Sequence, residues 1–173
     1  MRFLSWTECE NWCAARGVPI GETDSALSAP YNTVEFVLPS DAEEKVWLAR
    51  FLFSLIEPSP EVLLWVDESD VGSVGRHLPL FTRLRESLGE SRPLFDFPGH
   101  LASASETNDA ISILTVALLF GWDCQVITAS GHEAFYVSHN GCARFASRDP
   151  AVAARARHQI ATALAIDEVA DAS

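Results

Sequence analysis

Residues 33–66 read TVEFVLPSDAEEKVWLARFLFSLIEPSPEVLLWV, and this stretch decides the fold class. Thr33 to Leu38 alternates and carries β-branched residues, the pattern of a strand. Ser40-Asp41-Ala42-Glu43 has the spacing of a capping box, so a helix is expected to open there and run to Ile56. Glu57-Pro58-Ser59-Pro60 stops it. From Val46 onward the helix is apolar on almost every side, which predicts cover from more than one neighbour. Val62 to Val66 is a continuous apolar run of strand length, as in a strand buried on both faces. Strand, helix and strand joined by short links make a βαβ unit with parallel strands.

Working outward, Ser5-Trp6-Thr7-Glu8 is a further capping box and Gly17 suits the end of the helix it starts. Residues 18–32 have no period and many turn formers, and they read as a mobile loop. A helix is expected from Leu78 to Leu88, a short strand at Pro93 to Phe97, and a central helix reaching Phe120 from a cap at Ser105 or Thr107. Cys124–Thr128, Ala134–Val137 and Cys142–Phe145 follow as three strands, with Asn140-Gly141 as a hairpin turn. Asp149-Pro150 opens a terminal helix, and residues 167–173 form a frayed acidic tail. The expected architecture is therefore one α/β domain over residues 1–173, in three layers. Its sheet is mixed, with a parallel βαβ part and an antiparallel C-terminal meander, and helices cover both faces.

Charge sets the bias in partner. The chain carries twenty-four acids against twelve bases, a net charge of −12. Residues 1–70 hold thirteen of the acids and only Arg2, Arg16, Lys45 and Arg50 as bases. Such a field repels nucleic acid and anionic membranes and favours basic partners. No apolar stretch approaches the roughly twenty residues that a membrane span needs. With no signal-like start, the expected compartment is cytoplasmic. Cys9 and Cys13 lie one helical turn apart, and Cys124 and Cys142 lie in apolar strand-like runs, so reduced, buried, metal-free thiols are expected. The spacing does not make the two close pairs of a structural zinc site, and no cofactor is implied.

The usual catalytic signatures fail one by one. Lys45 is the only lysine and sits in no phosphate loop, and no G-x-G-x-x-G occurs. Asp67-Glu68-Ser69-Asp70-Val71-Gly72 begins like a calcium loop, yet Val71 and Leu78 occupy positions that need oxygen ligands. A looser cluster remains. If the strands after residues 33, 62 and 124 are parallel, their C-terminal ends gather Asp41, Asp67, Asp96, His100, Ser130 and His132 on one rim, where acid–base or metal chemistry is feasible. The bland alternative is that these residues are caps and turn formers. Arg76, Arg83, Arg85 and Arg92 are expected to pair with the protein's own acids rather than to bind phosphate.

The leading expectation is a non-enzymatic acidic module that docks a basic protein surface. By charge and size alone it looks like an immunity protein that neutralises a nuclease-type toxin. Trp6, Glu10, Trp12, Glu22, Asp24, Glu44, Glu68 and Asp70 are the contact candidates, with no catalytic or metal-ligating residue assigned. The alternatives are an enzyme or small-ligand protein using the strand-end rim, and a subunit of a larger assembly into which Trp6 and Trp12 pack.

Overall fold

Ser5 caps the first helix through both halves of its capping box. Its hydroxyl accepts from the Glu8 backbone N–H, and the Glu8 carboxylate accepts from the Ser5 backbone N–H at 2.7 Å. This is part of a computed structural model that describes residues 1–19, 30–67 and 77–164. The described elements run β1 (Arg2–Leu4), α1 (Trp6–Ala14), β2 (Asn32–Val37), α2 (Ala42–Leu55), β3 (Glu61–Val66), α3 (Leu78–Ser87) and β4 (Gly99–Ser103). A 3₁₀ turn over Ala104–Glu106 leads into α4 (Thr107–Phe120), then β5 (Cys124–Thr128), β6 (Glu133–Val137), β7 (Cys142–Ser147) and α5 (Pro150–Ala163).

The seven strands form one sheet in the order β1-β4-β3-β5-β6-β7-β2, and every neighbouring pair is antiparallel. The expected parallel βαβ part is therefore wrong. β2 and β3 do point the same way, but β7, β6 and β5 stand between them, each antiparallel to its neighbours. The apolar run of β3 reflects cover on both faces rather than parallel pairing. Leu64 and Val66 face one layer and Leu63 and Trp65 the other, and all four are buried.

On the first face α2, α3, α4 and α5 pack through Leu48, Leu52, Phe81, Ile113, Leu114, Val152 and Ile160 onto Val34, Leu64, Val126, Phe135 and Phe145. On the second face α1 brings Cys9 and Cys13 down onto Leu63, Trp65, Leu101, Ile127 and Tyr136. Arg16 clamps the end of α1. It donates to the Ala129 and Trp12 carbonyls at 3.0 and 2.9 Å and lies over the Trp12 ring.

Several local expectations shift. Asp41, not Ser40, caps α2 by accepting from the N–H groups of Glu43 and Glu44. Pro93–Phe97 is a turn, and the strand lies at Gly99–Ser103, beyond Pro98. The Ser103–Glu106 capping box, rather than Ser105 or Thr107, starts the helical run into α4. Gly121 ends α4 in the left-handed conformation at φ 65°. Most of the expected loop at 18–32 and the tail at 167–173 lie outside the described residues. Among the described residues no helix is long and apolar enough to cross a membrane.

Candidate functional site

Strand direction separates the rim that the parallel reading had gathered. Val62 pairs with Thr128 and Val66 with Cys124, so β5 runs against β3. Asp67 donates its backbone N–H to the Asp123 carbonyl at one end of the sheet, whereas Ser130 and His132 follow β5 at the other. Asp41 and Asp96 lie at the Asp67 end, as the N-cap of α2 and in the turn before β4. His100 is not on a rim. It is fully buried between β4 and α3, against the Phe3 and Phe81 rings. Burial first, and the Arg85 guanidinium second, push its imidazole down to about 3, so it is neutral.

Ser130 and His132 border a hollow of about 350 Å³ with Glu57, Thr128 and Glu133. Ser130 Oγ is 3.0 Å from Thr128 Oγ1 and accepts from the His132 backbone N–H, so it serves the turn. Glu133 is buried, and desolvation reinforced by the charge of Glu57 raises its pKa. Among the described residues no group of three or more His, Cys, Asp or Glu side chains is placed to hold a metal ion.

The expected contact residues also divide. Trp6, Glu10 and Trp12 belong to α1 on the second face, whereas Glu44 lies on α2 on the first. They cannot meet one partner surface together. Glu22, Asp24, Glu68 and Asp70 lie outside the described residues, as does Arg76. Trp6 stacks edge-on against Trp65 and donates to Glu10 at 3.0 Å, while Trp12 packs against the core that docks α1. The arginines serve the fold. Arg83 pairs with Glu86, and Arg92 makes a bidentate contact to the buried Glu90, which holds that carboxyl below its usual range. Arg85 is buried and donates to the carbonyls of Arg92 and Phe97.

Burial divides the four thiols, which were all expected to be buried. Cys9, Cys13 and Cys124 are buried, but Cys142 is exposed at the start of β7. Desolvation pushes the Cys13 thiol up to about 12 and raises Cys9 and Cys124 as well.

The surface that stands out lies on the helix layer. A trough of about 680 Å³ follows α4, floored by Asn108, Ile111, Ser112, Thr115 and Val116 and walled by Val46 and Arg50 of α2 and Leu80 and Leu84 of α3. Val46 is 48% exposed, Leu80 59%, and Trp47, stacked on Phe51 at 5.0 Å, 46%. Leu119 continues the outer stripe of α4 one turn beyond Thr115 and is also exposed. The exposed carboxylates Asp41, Glu43 and Glu44 lie just N-terminal to Val46 and Trp47 on α2. The helix that the sequence marks as covered on almost every side is thus open along this face. Trp47, on the helix that the sequence marks as covered, is among its exposed residues. The adjacency of Glu43-Glu44 to Val46-Trp47 was the available signal, since a carboxylate pair one turn from a tryptophan marks an outward face.

Comparison with protein-family models, with curated proteins and with solved structures finds no match to this chain.

Proposed function

We propose that this protein is a non-enzymatic binding module that docks a basic protein surface into the trough between α2, α3 and α4. One observation carries the reading. Of the seven large apolar side chains exposed among the described residues, Val46 and Leu80 line this one trough, and Trp47 and Leu119 stand on the α2 and α4 helices that border it. Scattered exposed apolar residues are ordinary, but a contiguous apolar patch on a chain of net charge −12 favours association over solubility. Arg50 is the only ionisable side chain lining the trough among the described residues, which offer no donor–acceptor pair for acid–base chemistry there. Asp41, Glu43 and Glu44 supply the negative margin that a basic partner would meet. A nuclease-type toxin fits this description, because its own site must be basic to hold nucleic acid.

The test is site-specific photocrosslinking. A benzophenone side chain at position 47 should capture a basic protein, and Leu80→Ser should abolish the capture. A control probe on the opposite face, at position 6, should not capture it. Capture of an acidic protein, or equal capture from both faces, would overturn the proposal.

A further inference from the structure

A second concave feature lies at the end of the sheet where β2 and β6 finish and β5 and β7 begin. It encloses about 330 Å³, at the small end of ligand pockets. Its walls are apolar on two sides, from Val37 and Leu38 after β2 and from Ala117 and Leu118 near the end of α4. Of the polar side chains that line it, only the Lys45 ammonium is donor alone. Lys45 reaches it from the first turn of α2, Ser40 from the preceding loop, and His139 and Asn140 from the β6–β7 turn.

Lys45 carries the argument. It is the only lysine in a chain with twenty-four acids, yet it makes no ion pair among the described residues. Two carboxylates near this end of the sheet have other partners. Asp41 caps α2, and the buried Asp123 accepts from the His139 backbone N–H at 2.6 Å and contacts the His139 Nδ1 at 3.1 Å. Trp122 also borders the pocket. Its indole is 1% exposed, and its N–H is buried with no acceptor. An ammonium without a counter-ion on a half-buried lysine and a buried N–H without an acceptor each leave an interaction unmade. An anion in the pocket would complete the first.

We propose that this pocket binds a small monocarboxylate with an apolar body, its carboxylate on Lys45 and its carbon chain against Val37, Leu38, Ala117 and Leu118. A single ammonium and apolar walls favour this class over phosphate, which usually meets several cationic or backbone donors. The site is separate from the helix-layer trough and stands without it.

Hexanoate, hexanol and inorganic phosphate are the probes, titrated into ¹⁵N-labelled protein while amide and indole N–H resonances are followed. Hexanoate should give saturable shifts at His139, Asn140, Gly141 and the Trp122 indole. Hexanol and phosphate should bind at least tenfold more weakly. Lys45→Met, which keeps the aliphatic stem, should weaken hexanoate at least tenfold while the remaining spectrum stays put, and Lys45→Gln serves if the Met variant does not fold. Trp47→Ser should leave hexanoate binding unchanged. Absence of saturable shifts, equal binding of hexanol, tighter binding of phosphate, or indifference to both Lys45 variants would each overturn the proposal.

Discussion

The sulfur of Cys9 rests directly over the Cα of Gly99. A Cβ at position 99 would lie 2.2 Å from that sulfur, 3.0 Å from Leu4 Cβ and 3.2 Å from the Leu4 carbonyl oxygen. Gly99 pairs with Leu4 of β1 on one side and Trp65 of β3 on the other, so the contact fixes how closely α1 settles on the sheet. Gly99→Ala should therefore cost about 1–3 kcal/mol by overpacking. Cys9→Ala should recover part of that cost, giving a favourable coupling in a double-mutant cycle measured by urea unfolding. Strict additivity of the two changes would show that the sulfur is not what the methyl group meets.

Thiol chemistry should single out Cys142. It is exposed, whereas Cys9, Cys13 and Cys124 are buried with their thiols held protonated by desolvation. Native protein treated with a chromogenic disulfide at pH 8 should release one equivalent rapidly, and all four only after denaturation. Rapid reaction persisting in Cys142→Ser would contradict this assignment.

Acid should find a weak point at His100. Its imidazole is buried with no hydrogen bond of normal geometry, and Arg85 adds an unfavourable charge that Glu90 only partly offsets. The folded value of about 3 lies below the ordinary 6.5, so between these limits the unfolded chain holds a proton that the folded chain does not. Stability from this residue is then complete above pH 6.5 and falls as pH drops towards 3, by at most about 1.4 kcal/mol per pH unit. Denaturation of wild type and His100→Leu at several pH values should give curves that diverge over that window. Parallel curves would mean that His100 titrates freely in the folded protein.

The helices were largely legible because their signals are local. Ser5 with Glu8, Asp149 with Pro150 and Gly121 mark ends that neighbours in sequence dictate. Strand order was not legible, because it is set by which face each strand must cover. Leu63 to Val66 is apolar throughout since α1 lies on one side and α4 on the other, and that pattern does not distinguish parallel from antiparallel partners. β1 has three residues and no period to find, and β4, as Gly99-His100-Leu101-Ala102-Ser103, lacks β-branched residues entirely. The rim that would have joined Asp67 to Ser130 fell with the strand direction. The pocket around Lys45 was hidden for a similar reason, since α2, α4 and the β6–β7 turn meet only once the sheet is ordered.

Where the acids matter follows from the division between faces. Glu43 and Glu44 are exposed beside Val46 and Trp47, whereas Glu10 is on α1 across the sheet and accepts from Trp6. If a basic partner docks in the trough, Glu43→Gln with Glu44→Gln should lower its association rate several-fold and flatten the salt dependence. The fold should survive, because Asp41 still caps α2 and single exposed charges contribute little to stability. Glu10→Gln should leave the rate unchanged at every ionic strength, since the sheet and its helices separate it from the trough. Stopped-flow association of the photocaptured partner, run from about 20 to 500 mM salt, spans several Debye lengths and resolves the two cases. An equal effect of Glu10→Gln would mean that the net charge of the whole chain, not this margin of the trough, steers the encounter.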